Sequence, residues 1–576
     1  MKKILLIIIL FLLHPLGIFA SNPEFSTQQT ITYTINHYGH AQVEHQVTIT
    51  NNFSNIYPQK YIIEISGQKI NNISATDQQG NILQNIEEKQ GTTSIHLNFN
   101  NGQAGKGKQT NFQLNYHIPK LAKQNGQLWE INLPQSKQKD NTVILKVPLE
   151  FGQLAFSSVN SQKQKTANYQ QFTFSPQSQQ KISLAFGQSQ IFDFKLKYFL
   201  DNPNSQSITS TIPIPADTNS QDVIINKIEP PPQNVNLDAD GNWLAQYQLK
   251  AKQQLNIIVQ GQAQTHLPNP NFDSYFPINT DALTAPQPFW PSQDSTIKQI
   301  SQSLKSAKSI YNYVVDKLNY SQNIDQIQRQ GALQAILNPN QALCTEFTDL
   351  FVTLARSQNI PSQEVEGYAY TDDDQVKTAN PHSDVLHAWP RYWSESKKIW
   401  VSVDPTWEKT TQGVDYFINH NLNHLVFVIH GHHSQKPAPP GSYKQHPQDK
   451  SIQVDFAKHR LQPDYQRPQL STFASKITIN NPNPTAIYQI QLSSNNWQKN
   501  IPALPPFSHL EIEPPPQNFF SKLLPNSSQI NIKVKVDQQP DFNFQLQQSN
   551  PIPITFIVTI ILIILSTSVI IVIRKK

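Results

Sequence analysis

One cysteine, Cys344, in a chain of 576 residues sets the first limit on how this protein can hold itself together. It excludes an internal disulfide and any Cys-based structural zinc or iron–sulfur site. Stability must then come from apolar surface buried in several cores, because at roughly 150 residues per domain the length implies about four units. Charged residues make up 15% where about a quarter is usual, so the polar surface is carried by Gln, Asn, Ser and Thr. A net charge of +5 over this length is too dilute to imply nucleic acid as a partner, and too low for charge-driven disorder.

Both ends read as membrane signals. Lys2 and Lys3 precede an apolar run from Ile4 to Leu13, then Pro15, Gly17 and the small pair Ala20-Ser21, so residues 1–20 are expected to form a cleaved secretory signal. The stretch 551–573 includes twenty uncharged residues from Ile554 to Ile573, enough for a transmembrane helix across a ~30 Å hydrocarbon core. Arg574, Lys575 and Lys576 follow, and their charge favours a cytoplasmic tail at 574–576. The expected localisation is the cell membrane, with one C-terminal helix as anchor and the large N-terminal part extracytoplasmic.

Between these ends the apolar pattern changes twice. Ile31, Tyr33 and Ile35, then Val43, Val47 and Ile49, alternate on either side of His37-Tyr38-Gly39-His40, which predicts a β-hairpin. Similar runs up to Val147 predict an N-terminal β-sandwich over 21–190, and those from Phe192 to Val259 a second β-domain over 191–285. From Ile297 through Ile300, Leu304, Ala307, Tyr311, Val314 and Leu318 the step becomes three and four, the period of a helix. Residues 286–430 are therefore expected to form an α+β domain. A Pro-rich, aperiodic stretch reads as a linker over 431–470, and alternation resumes in a juxtamembrane β-domain over 471–545. The fold class predicted is multidomain: β-sandwich-type domains flanking one α+β domain, plus the transmembrane helix.

The chemistry concentrates between 341 and 407. Leu343, Phe347, Leu350, Phe351 and Leu354 share one helical face behind Asn338-Pro339-Asn340, which places Cys344 in the first turn. Unpaired N–H groups and the positive end of the helix dipole there favour a thiolate, the form a nucleophilic cysteine needs. Strand-like 386–389 and 399–404 flank the polar turn 394–398. If Ser394 faces Lys397, His387 lies opposite Asp404, with Cβ atoms about 5 Å apart on one face. The carboxylate can then hold one imidazole nitrogen while the other faces the thiolate, the nucleophile, base and orienter of covalent amide chemistry.

These residues resemble the transglutaminase-like superfamily, with its papain-like fold. The resemblance rests on Cys344-Thr345-Glu346-Phe347 opening a helix that ends Leu354-Ala355-Arg356, on Ile360-Pro361 and Val365-Glu366-Gly367-Tyr368, on His387-Ala388-Trp389, and on Asp404-Pro405-Thr406-Trp407. It covers about 290–425. It implies a catalytic triad of Cys344, His387 and Asp404, no cofactor or metal, and a protein or peptide substrate at the cell surface. The amide would be attacked through a Cys thioester, resolved by an amine or by water. Two positions depart from the family pattern: Ala342 stands where Gly is usual, and Gln363 where Arg is usual. They keep open an alternative reading, a non-catalytic surface binding or envelope-scaffold protein with a degenerate domain.

Other clusters carry less. His420, His424, His430, His432 and His433 lack a carboxylate or Cys at matching spacing and are expected on a solvated surface. Asp372-Asp373-Asp374 lacks the spacing of a calcium loop and reads as a solvated turn. The oxyanion hole would combine the Cys344 backbone N–H with Asn338, Asn340 or Gln341.

Overall fold

The computed structural model describes residues 23–99, 102–134, 141–175, 181–321, 328–371, 386–411, 414–417, 422–473, 476–495, 497–515, 528–536, 539–548, 559–565 and 567. The chain forms two compact units, one of residues 1–122, 133–150 and 160–180, the other of 123–132, 151–159 and 181–576.

In the first unit the predicted hairpin is present. Strands Phe25–Ile35 and Ala41–Asn51 pair antiparallel, Ile35 against Ala41, across a turn in which Gly39 takes the positive φ of 82° that side chains disfavour. Ile31, Tyr33 and Ile35 point inward, as their alternation requires. The pair sits within an eight-stranded sheet, flanked by Gln109–Ile118 on one side and, in parallel, by Asn141–Pro148 on the other. A second sheet orders Lys60–Ser66, Thr92–Asn98 and Leu83–Lys89.

In the second unit, Ser189–Asp201, Gln254–His266 and Gln221–Glu229 form one sheet of a sandwich, with Ile208–Ile214, Trp243–Leu249 and Asn234–Leu237 as the other. Within the stretch read as a linker, Ile452–Phe456 is a strand that pairs with Ser189–Asp201. Leu425 and Phe427, from the α+β region, lie in the sandwich core beside Trp243 and Tyr198, so these two parts share one hydrophobic interior. The α+β region itself packs helices Ala307–Lys317, Ala332–Leu337 and Cys344–Ser357 against a sheet ordered Ile399–Ser402, His387–Ser394, Ser362–Ala369 and His424–His430. Strands from Gln469–Phe473 to Phe542–Gln548 enclose a separate small core around Ile490 and Ile532.

The C-terminal part of the predicted fold class needs correction. Among the described residues no helix is long and apolar enough to cross a membrane. Within 551–573 the described residues are 559–565 and 567, and they are helical. The single-pass anchor, and the cell-membrane localisation and tail orientation inferred from it, are therefore not supported. The signal expected at 1–20 and the tail 574–576 lie outside the described residues.

Helix Ala307–Lys317 positions the site from behind, because the buried Tyr311 hydroxyl donates to the Asp404 carbonyl at 3.1 Å. Its start is fixed by a reciprocal cap: the Ser306 hydroxyl accepts the Ser309 N–H, and the Ser309 hydroxyl accepts the Ser306 N–H, both at 3.1 Å. Ser306→Ala is expected to destabilise the second unit by about 1 kcal/mol, read as a shift in urea midpoint with unchanged slope.

Candidate active site

Helix Cys344–Ser357 starts where it does because Glu346 turns back and accepts the Leu343 N–H at 2.9 Å, one half of a capping box. The other Glu346 oxygen accepts the Gln330 N–H at 2.9 Å, so the fully buried carboxylate that sets the helix start is held from both sides. Cys344 is the first helical residue and is only half-buried. The helix ends at Ser357, and two residues on Asn359 has a φ of 57°, a left-handed conformation that asparagine tolerates.

The predicted hairpin exists with its register displaced by two residues. Ser394 pairs with Ile399, where the sequence predicts Lys397, and the ladder ends at Arg391 opposite Ser402. A two-residue displacement keeps every side chain on its face, but Asp404 is no longer in the ladder. It is instead the N-cap of helix Pro405–Thr410, its Oδ1 accepting the Trp407 N–H at 2.9 Å. Pro405 suits that boundary, since the first helical position needs no N–H. The cap delivers Asp404 Oδ2 to 2.7 Å from His387 Nε2. Cys344, at the helix start, is near enough to the ring to add to the rise in its pKa. All three residues predicted to form the triad are thus brought together.

A fourth residue was not legible. His424, expected on a solvated surface, is buried with its Nε2 3.0 Å from the same Asp404 Oδ2. Trp407 stacks beside His387 at 5.6 Å and lies 4.4 Å from His424, closing the site with aromatic surface. His430 is also buried, its Nδ1 3.1 Å from Glu364 Oε2, and His432 Nδ1 lies 2.8 Å from Asp240 Oδ1. The solvated-surface expectation is therefore corrected for these three, because each ring meets a carboxylate from a distant strand or loop. His433 is exposed, and His420 and Asp372–Asp374 lie outside the described residues. Of the oxyanion candidates, Asn338 and Gln341 are exposed and Asn340 accepts from Asn319 at 2.7 Å. Tyr320 stands closer to the chemistry: it bridges Ala342, and burial and the neighbouring Cys344 push its hydroxyl far above the ordinary range.

Burial opposes charge on the His387 ring, but the Asp404 carboxylate, with Cys344 as a smaller contribution, outweighs it and raises its pKa from 6.5 to about 10. Burial likewise opposes charge on Asp404, and the two histidines overcome it, holding the carboxyl well below the usual range. His387 contributes fully below about pH 6.5 and its contribution is lost as the pH rises towards 10, whereas that of Asp404 is present above about pH 4 and is lost below it. His387→Gln is expected to flatten the decline of the denaturant midpoint between pH 7 and 10.

Among the described residues, two trios have ligand-type atoms within 4.8 Å of one another, His387–Asp404–His424 and Glu364–Glu366–His430. Both are knit by hydrogen bonds, and the second also takes the Arg329 guanidinium on Glu364 at 2.7 Å, which competes with any cation.

A cysteine opening a buried helix, a strand histidine and a capping aspartate, in that chain order on an α+β core, give the arrangement of a papain-like cysteine enzyme. Residues 293–405 match the family model of the transglutaminase-like superfamily, and this part of the chain is a transglutaminase-like domain. No curated protein matches the chain. Among solved structures, a proposed cysteine protease from Cytophaga hutchinsonii is similar over 46% of this chain and 86% of its own, at 13% identity and a TM-score of 0.31. The periplasmic domain of TgpA from Pseudomonas aeruginosa is similar over 39% and 91%, at 14% identity and 0.21. An M1 zinc metallopeptidase from Deinococcus radiodurans is similar over 32% and 46%, at 12% identity and 0.21. These likenesses bear on neither activity nor substrate.

Proposed function

We propose that the transglutaminase-like domain is a cysteine enzyme acting on protein or peptide amides through an acyl-thioester on Cys344. The observation that carries this reading is the 2.7 Å contact between His387 Nε2 and Asp404 Oδ2, with Cys344 near enough to the same ring to raise its pKa further. The Cys344 thiolate adds to the amide carbon, and its backbone N–H at the helix start faces the developing oxyanion. Collapse breaks the C–N bond while the His387 imidazolium gives its proton to the leaving nitrogen. A primary amine or a water then gives a proton back to His387 and attacks the thioester, releasing the thiolate. Asp404 holds the imidazole throughout, and His424 holds Asp404.

The test incubates the purified chain with a glutamine-containing protein, with and without a fluorescent primary amine. Incorporated amine identifies acyl transfer, and fragments or ammonia without incorporation identify hydrolysis. Neither product across several proteins, with the wild type indistinguishable from Cys344→Ala, overturns the proposal.

A further inference from the structure

A cavity of about 260 Å³ lies in the second unit, away from the triad, among the turn 238–241, the segment 272–279 and the strand His387–Ser394. One wall is Arg391, which is 8% exposed. Its Nε donates to Gln363 Oε1 at 2.8 Å, and Gln363 in turn donates to Asp240 Oδ1 at 3.0 Å. The Trp400 ring lies 4.7 Å beneath the guanidinium. The head group is therefore clamped at one edge and one face, while its two Nη groups make no hydrogen bond among the described residues and border the cavity. Gln363, which stands where the family pattern has Arg, is the residue that aims it.

Asp273, 6% exposed, borders the same space. Its Oδ2 accepts from Asn219 at 2.7 Å and from the Trp400 N–H at 2.9 Å, whereas its Oδ1 accepts no hydrogen bond among the described residues. Phe272 and Phe276 add apolar surface. The cavity thus offers two fixed donors, one fixed acceptor and aromatic surface, and such unmet polar groups are uncommon in a buried site unless something occupies it.

The charge balance selects the occupant. Arg391 is already offset by Asp273 and Asp240, and Asp217 and Asp238 also line the wall, so an anion would meet net repulsion. A compact cation would meet the guanidinium and leave its donors unmet. A neutral ring bearing hydroxyls, which accepts and donates around its edge and is apolar on its faces, satisfies all three features.

We propose that this cavity is a binding site for a single neutral sugar unit, held by Arg391 and Asp273. Saturation-transfer NMR on the full chain would use glucose, galactose and N-acetylglucosamine as probes, with acetate and cadaverine as charged controls. At least one sugar is expected to give a signal that falls at least tenfold in Arg391→Met. Because Arg391 also packs against Trp400, a second variant, Ala239→Trp, fills the cavity from an exposed turn and leaves Arg391 in place. The same tenfold loss is expected there. No sugar signal, a signal that survives Ala239→Trp, or binding of acetate or cadaverine in preference to every sugar overturns the proposal.

Discussion

Replacing His387 by Ala is expected to lower turnover on an amide substrate about 10³- to 10⁴-fold while leaving the chain folded. The imidazole carries two tasks, holding the thiol's proton and delivering it to the leaving nitrogen, and general acid–base catalysis alone accounts for about 10²- to 10⁴-fold. At about 1.4 kcal/mol per decade the expected loss is about 4–5.5 kcal/mol of transition-state stabilisation. Asp404→Asn is expected to cost a similar factor for a different reason. Asp404 Oδ2 accepts from both His387 and His424, so an amide nitrogen at that point would face two ring nitrogens that now donate. Its own N–H groups would force the wrong tautomer on His387. Steady-state rates at fixed pH, with circular dichroism to confirm folding, check both.

The second large effect concerns stability. Arg329→Met is expected to destabilise the second unit by about 3–5 kcal/mol, a drop of roughly 5–10 °C in melting temperature. Arg329 donates to Asp349 Oδ1 at 2.5 Å, to Asp349 Oδ2 at 3.0 Å and to Glu364 Oε2 at 2.7 Å, with both carboxylates fully buried. Without it, Asp349, Glu364 and Glu366 would share one neighbourhood, with His430 as the counter-charge among the described residues. Burial, and the neighbouring carboxylates, already raise Asp349 and Glu366 to about 7. Acids whose folded values lie above their unfolded ones stabilise when protonated, so the variant should regain part of the loss as the pH falls from 8 towards 6. Thermal melts across that range measure it. A loss that did not shrink at low pH would mean that Arg329 matters through packing on Phe289 rather than through charge.

How much of this was legible in the sequence depends on range. Cys344 at a helix start followed from local periodicity, whereas the Glu346 cap that fixes that start emerges only from the structure. The hairpin was legible, its register was not, because the five-residue polar turn allows more than one pairing and Asp404 takes its place from a cap three residues before Trp407. The histidines were misplaced for a physical reason. His424 and His430 sit in an apolar strand, and what permits their burial is Asp404, twenty residues away, and Glu364, sixty-six residues away, neither of which local spacing reveals. Gln363 read as a departure from the family, and only its contact with Arg391 gives it a role. The apolar end at 551–573 shows the opposite error, since composition alone implied a spanning helix that no described helix supplies.

The proposed mechanism depends on the pairing of His387 with Cys344. It is tested most directly by the rate of iodoacetamide alkylation at Cys344, the chain's one thiol, in wild type and His387→Ala between pH 6 and 9. Because His387 holds its proton up to about pH 10, the wild type is expected to react about tenfold faster than the variant at pH 6.5. The gap should close near pH 8.5, where an unassisted thiol ionises by itself. Equal rates at pH 6.5 in a folded variant would contradict the pairing of Cys344 with His387 and, with it, the proposed mechanism.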